Sequence, residues 1–144
     1  MADAGKRFFT VDEAERLIPR LQGIMARVAD CHAESGRLRG ALQEAQRHVM
    51  LSGGARLNQE FWRSRRSRLA RVTTELQEKI GEILGLGVVP KDLGMGLVDF
   101  PALMDKREVN LCWRSGEDRI RFWHGLDEGY ANRKPIPGLQ ERES

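Results

Sequence analysis

The residues able to do chemistry collect late in the chain. Asp99, Glu117, His124, Asp127 and Glu128 can act as metal ligands or as acid and base, and Arg121 and Arg133 can hold an anion. Their spacing fits no strong catalytic pattern, because the sequence has no histidine pair three or four apart on a helix, no phosphate loop and no nucleophile elbow. His124, Glu117 and Asp99 form the candidate centre for a metal or small ligand, although spacing alone leads to no expected metal or other cofactor. Cys31 and Cys112 are the only cysteines. A zinc site built from Cys31, His32, Cys112 and His124 would span the whole chain without short paired spacings, so two buried thiols are the simpler expectation.

These residues need a scaffold, and the alternation around them predicts strands. Leu97 to Leu103, Glu108 to Arg114 and Arg119 to His124 read as a three-stranded antiparallel meander, turning at Asp105-Lys106 and at 115–118. Symmetric turns place Val98, Phe100, Ala102, Val109, Leu111, Trp113, Ile120 and Phe122 on one apolar face, with His124 ending that row. The opposite face then carries Asp99, Cys112 and Arg121 in one row, and Pro101, Asn110 and Trp123 in the next. Asp99, Asn110, Arg121, Trp123, His124 and Arg133 are accordingly the candidate binding residues. The tail from 125 to 144, through Tyr130 and Ile136, can fold back over Trp123. A one-residue bulge would exchange the faces of a strand.

The rest of the chain reads as helix. Thr10 to Glu13 fits a capping box. From there Leu17, Leu21, Ile24, Val28, Cys31, Ser35, Leu38, Leu42, Ala45 and Val49 recur at spacings of four and three, the pattern of a coiled-coil seam. A turn near 51–54 contains Gly53-Gly54, and a second helix from about Ala55 to Leu84 puts Phe61, Leu69, Val72, Leu76, Ile80 and Ile83 on one face. Residues 87–96, with Pro90, Gly94 and Gly96, read as a connector. The expectation is one α+β domain over 1–144. A long antiparallel helical hairpin (10–86) packs on the meander (97–124), followed by an ordered tail (125–144).

Composition narrows the function classes. The chain has 144 residues, 40% hydrophobic and 31% charged, with net charge +3. No apolar run nears the roughly 20 residues of a membrane span, and the amino terminus lacks a signal-peptide stretch, so the protein is expected to be cytoplasmic with no membrane partner. Arg63, Arg65, Arg66, Arg68 and Arg71 point all around the second helix, which reads as a solvated surface, with Arg65 extended or paired to Glu44, more readily than as a nucleic-acid stripe.

The opening RFFTVDEAERLIPRL, the connector GVVPKDLGMGLVDFP and the block REVNLCWRSGEDRIRFWHGLDEGYANRKPI resemble a prokaryotic family known as domain of unknown function 2203. The resemblance implies motif positions at Asp99, Trp113, Glu117, Trp123, His124 and Arg133, and no reaction, cofactor or partner. The leading functional expectation is a non-enzymatic interaction or assembly module. The meander face and tail would be its contact site, and the helices would be free to recruit a protein partner or a second copy. The alternative is a metal- or small-ligand-binding protein, or an enzyme, centred on His124, Glu117 and Asp99. A third reading is nucleic-acid association through Arg63 to Arg71.

Overall fold

Thr10 starts the first helix as its sequence demands. Its Oγ1 accepts from the Glu13 amide at 3.1 Å, and the Glu13 carboxylate accepts from the Thr10 amide at 2.9 Å, which satisfies two orphan donors reciprocally. The computed structural model describes residues 7–51 and 59–137. In it, helix α1 (Val11–Leu51) runs unbroken through Pro19, and helix α2 (Gln59–Gly85) returns alongside it. Positions 52–54 of the expected turn, the first residues of the expected second helix and the last seven residues of the tail lie outside the described residues. At 1.5 Å per residue α1 is about 60 Å long, half as long again as α2. Gly87, at φ 87°, ends α2 in the left-handed region open to glycine.

The sheet has five antiparallel strands in sequence order, where the sequence led us to expect three. They are β1 (Val89–Asp92), β2 (Leu97–Met104), β3 (Arg107–Arg114), β4 (Phe122–His124) and β5 (Lys134–Pro135). The expected connector thus contributes an edge strand, and the tail contributes the other edge. Both are short and hold a proline, which an edge tolerates because one side of its backbone needs no partner. Such strands form by pairing onto a preformed neighbour, so neither shows the alternation that announces a strand on its own.

The expected β2–β3 pairing is observed, with Val98 opposite Trp113, Phe100 opposite Leu111 and Asp99 opposite Cys112. Asp105 (φ 50°) and Lys106 (φ 67°) make the tight turn between them. The third expected strand is corrected in extent and in register. β4 begins only at Phe122, and it pairs Asn110 with His124, Leu111 with Trp123 and Cys112 with Phe122. That is one residue out of step with symmetric turns. The cause lies in the connection, where the Ile120 amide donates to the Glu15 carboxylate of α1 at 3.1 Å, drawing Ile120 into the core ahead of the ladder. The shift moves Trp123 to the apolar face and His124 and Phe122 to the opposite face.

The main core joins α1 to that apolar face. Leu21, Met25 and Val28 pack with Val98, Phe100, Leu111, Trp113 and Ile120, and Ile83 and Val88 close the α2 side. A smaller cluster of Cys31, Leu38 and Val72 continues between the helices. Beyond Leu38 the seam residues Leu42, Ala45 and Val49 are only half-buried.

Candidate functional site

The sheet face away from α1 is not wet. Asp99, in the middle of β2, is 1% exposed, Cys112 opposite it on β3 is 2% exposed, and His124 on β4 is 3% exposed. A carboxylate oxygen of Asp99, Sγ of Cys112 and a ring nitrogen of His124 all lie within 4.8 Å of one another. Three adjacent strands therefore deliver three different donor types to one buried spot. Among the described residues this is the one cluster of at least three such groups close enough to share a metal ion.

The polarity of the contacts is informative. His124 Nδ1 lies 2.8 Å from the Gly125 carbonyl oxygen, which can only accept, so Nδ1 carries a proton. Nε2 lies 2.9 Å from Asp99 Oδ1. A neutral imidazole with its proton on Nδ1 presents a lone pair at Nε2, and a carboxylate presents another, so a proton or a cation must sit between them. Asp99 Oδ2 is buried with no hydrogen-bond partner. Burial pushes the Asp99 carboxyl above its usual range, while the contact with His124 and the positive charge of Lys91 pull it back. Burial also pushes the Cys112 thiol up to about 11, against the opposing influence of Arg133.

The segment after β4 roofs part of this face. Arg133 donates from Nη2 to both oxygens of Glu117, at 2.8 and 2.9 Å, and to the Cys112 carbonyl at 3.3 Å. Its guanidinium lies 4.1 Å from the centroid of Phe122 and 4.7 Å from that of Tyr130. Glu117 is fixed in turn by the Arg114 amide at 2.7 Å, and its backbone carbonyl accepts from the Trp113 indole at 2.9 Å. Glu128 accepts from the Gly125 amide at 2.7 Å and pairs with Lys134, which holds it below the usual carboxylate range. Gly125, whose carbonyl orients His124, is thereby held in place.

The sequence-derived candidates therefore separate. Asp99 and His124 meet, with Asn110 buried beside them on β3. Arg133 and Glu117 meet each other one step away, so Glu117 does not join the Asp99–His124 centre. Arg121 pairs instead with Asp118 at 2.9 Å in the turn. Trp123 is half-buried against the main core, with Lys134 Nζ 4.6 Å from its ring centroid. Asp99, Asn110 and His124 are all buried. Cys31 lies in the helix cluster, well apart from Cys112, so the four-residue Cys31, His32, Cys112, His124 set is not assembled. Cys112 is the member that sequence reading left out of the centre. Its position opposite Asp99 was the available signal, hidden by placing His124 on the other face.

Residues 7–136 match the model of a family described as an uncharacterized conserved protein, DUF2203. No curated protein and no solved structure matches the chain.

Proposed function

We propose that this chain, which belongs over residues 7–136 to the DUF2203 family, is a metal-binding protein that takes one zinc-class divalent ion at Asp99, Cys112 and His124. The carrying observation is the buried Nε2–Oδ1 contact at 2.9 Å, where the Gly125 carbonyl commits the ring proton to Nδ1 and leaves two lone pairs facing each other beside a thiol. Oxygen, nitrogen and sulfur donors together suit zinc, and Asp99, Cys112 and His124 supply three of the four positions of a tetrahedral site. A tetrahedral zinc site has donor-to-donor edges of about 3.3–3.7 Å, so the Asp99–His124 gap needs to open by roughly half an ångström. A ligating histidine usually gives its other N–H to a backbone carbonyl or carboxylate, as Nδ1 does here.

The same geometry speaks against nucleophilic chemistry. Both ring nitrogens of His124 are engaged, neither as a base toward Cys112, and the thiol is held protonated. An ion here would cross-link β2, β3 and β4 and stabilise the folded chain by binding it alone. Pairing of two copies through the helices draws support only from the half-buried seam beyond Leu38, and a strict monomer across concentrations in light scattering removes it.

Chelator-stripped protein should bind one zinc per chain with a rise in melting temperature. Affinity should strengthen as pH is raised from 6 to 8, since binding displaces the thiol proton and the proton shared by Asp99 and His124. Each proton released is worth about tenfold per pH unit. Asp99→Asn and Cys112→Ala should each abolish stoichiometric binding. Absence of binding, with melting unmoved by zinc, manganese or iron, would leave Asp99 and His124 as a buried structural pair and refute the proposal.

A further inference from the structure

The far end of the helical hairpin carries a charge anomaly that the metal site does not explain. The described stretches 37–51 and 59–71 together hold eight arginines, no lysine and two glutamates, whereas the rest of the chain has 16 basic against 19 acidic residues. Among the described residues of these two stretches only Leu38 is buried. Arg68 pairs with Glu34 at 2.6 Å, Arg65, expected to extend from the seam or to pair with Glu44, stacks on Phe61 at 3.9 Å, and Arg66 lies over Trp62 at 5.4 Å. Arg37, Arg47, Arg63 and Arg71 are exposed, and none of them pairs with an acidic side chain among the described residues. So many like charges on a thin stalk repel one another and reward any partner that neutralises them.

From this segregation we infer that the distal hairpin docks on the phosphate backbone of a nucleic acid. Guanidinium matches phosphate bidentately and stacks on flat rings, which fits a patch built from arginine to the exclusion of lysine. The all-around placement that argued against a nucleic-acid stripe on an isolated helix takes another meaning on a protruding stalk, which can enter a groove or be wrapped by a strand. A planar anionic membrane would meet only one side of it. A second copy would bring an equally basic end.

The test uses the full chain with a fluorescent 20-nucleotide RNA, as single strand and as duplex, at 50 and 200 mM salt. Neutralising about four phosphates predicts a loss of affinity across that range of roughly fiftyfold on the single strand and roughly a hundredfold or more on the duplex. The variant R37Q/R47Q/R63Q/R71Q should keep its helicity and melting temperature, since these exposed side chains form no ion pair among the described residues, and should lose at least tenfold at 50 mM salt with a flatter salt slope. The corresponding lysine variant should retain most of the salt-dependent binding. Three outcomes overturn the inference: no binding at 50 mM salt, binding unchanged in the glutamine variant, or preference for vesicles containing anionic lipid over either RNA. The last would assign the exposed Met50 and Leu51, 74% and 81% exposed at the end of α1, to a membrane surface.

Discussion

The two ends of the hairpin obey the same heptad pattern and reach different states. Near the sheet, seam residues such as Leu21 and Val28 are fully buried, because β2 and β3 supply a third layer over the helices. At the far end Leu42, Ala45 and Val49 face, among the described residues, only α2 and stay half-exposed. Periodicity thus specifies which side of a helix is apolar, while burial depends on whether another element arrives to cover it. The sheet end can hold a desolvated carboxylate, thiol and imidazole because it is layered on both faces. The distal end is free to carry dense positive charge because little there is desolvated.

This contrast can be broken by mutation, and the largest effect belongs to the sheet end. Trp113→Ala should cost about 3–5 kcal/mol, near the whole stability of a small domain, while Phe61→Ala in the distal hairpin should cost about 1 kcal/mol or less, both read by chemical denaturation. Equal losses at the two sites would remove the distinction. Glu117→Gln leaves the mostly buried Arg133 guanidinium without its carboxylate and should cost about 2–4 kcal/mol. Hydrogen exchange should show β4 and β5 opening more readily in that variant, with the distal hairpin unchanged.

A smaller effect comes from alkali. The Cys112 thiol is pushed from its ordinary 9.0 up to about 11 by burial, so between those values the folded metal-free chain keeps a proton that the unfolded chain releases. Stability should therefore be fully retained below about pH 9 and fall as pH rises through the window, by on the order of 2 kcal/mol. Cys112→Ala should lack that increment when melts at pH 8.5 and 11 are compared. Smallest is the β2–β3 turn, where Asp105 and Lys106 both occupy positive φ. Replacing them by Asn-Gly should stabilise the sheet end by up to about 1 kcal/mol, with no effect on the distal helices.

How much of this was legible in the sequence follows from the strength of each local signal. The capping box at Thr10, the buried row of α1 from Leu21 to Leu38, the Asp105-Lys106 turn and the β2–β3 register are carried by residues close in sequence, and all are observed. The edge strands were not legible, since four residues around Pro90 and two ending at Pro135 have no period of their own. The site was half legible. Asp99 and Cys112 fall opposite each other by simple hairpin counting, but His124 depends on a bulged connection set by Glu15 of α1, a contact 105 residues away in sequence. That single step of register turned His124 from the end of the core row into the partner of Asp99.

The account rests most heavily on Cys112 joining Asp99 and His124, and cobalt substitution reads that sulfur directly. Adding one equivalent of cobalt(II) to metal-free protein should give the intense visible bands of a tetrahedral site together with a thiolate-to-cobalt charge-transfer band, and Cys112→Ser should lose the charge-transfer band. A spectrum no different from cobalt in buffer, or one that Cys112→Ser leaves unchanged, would contradict it.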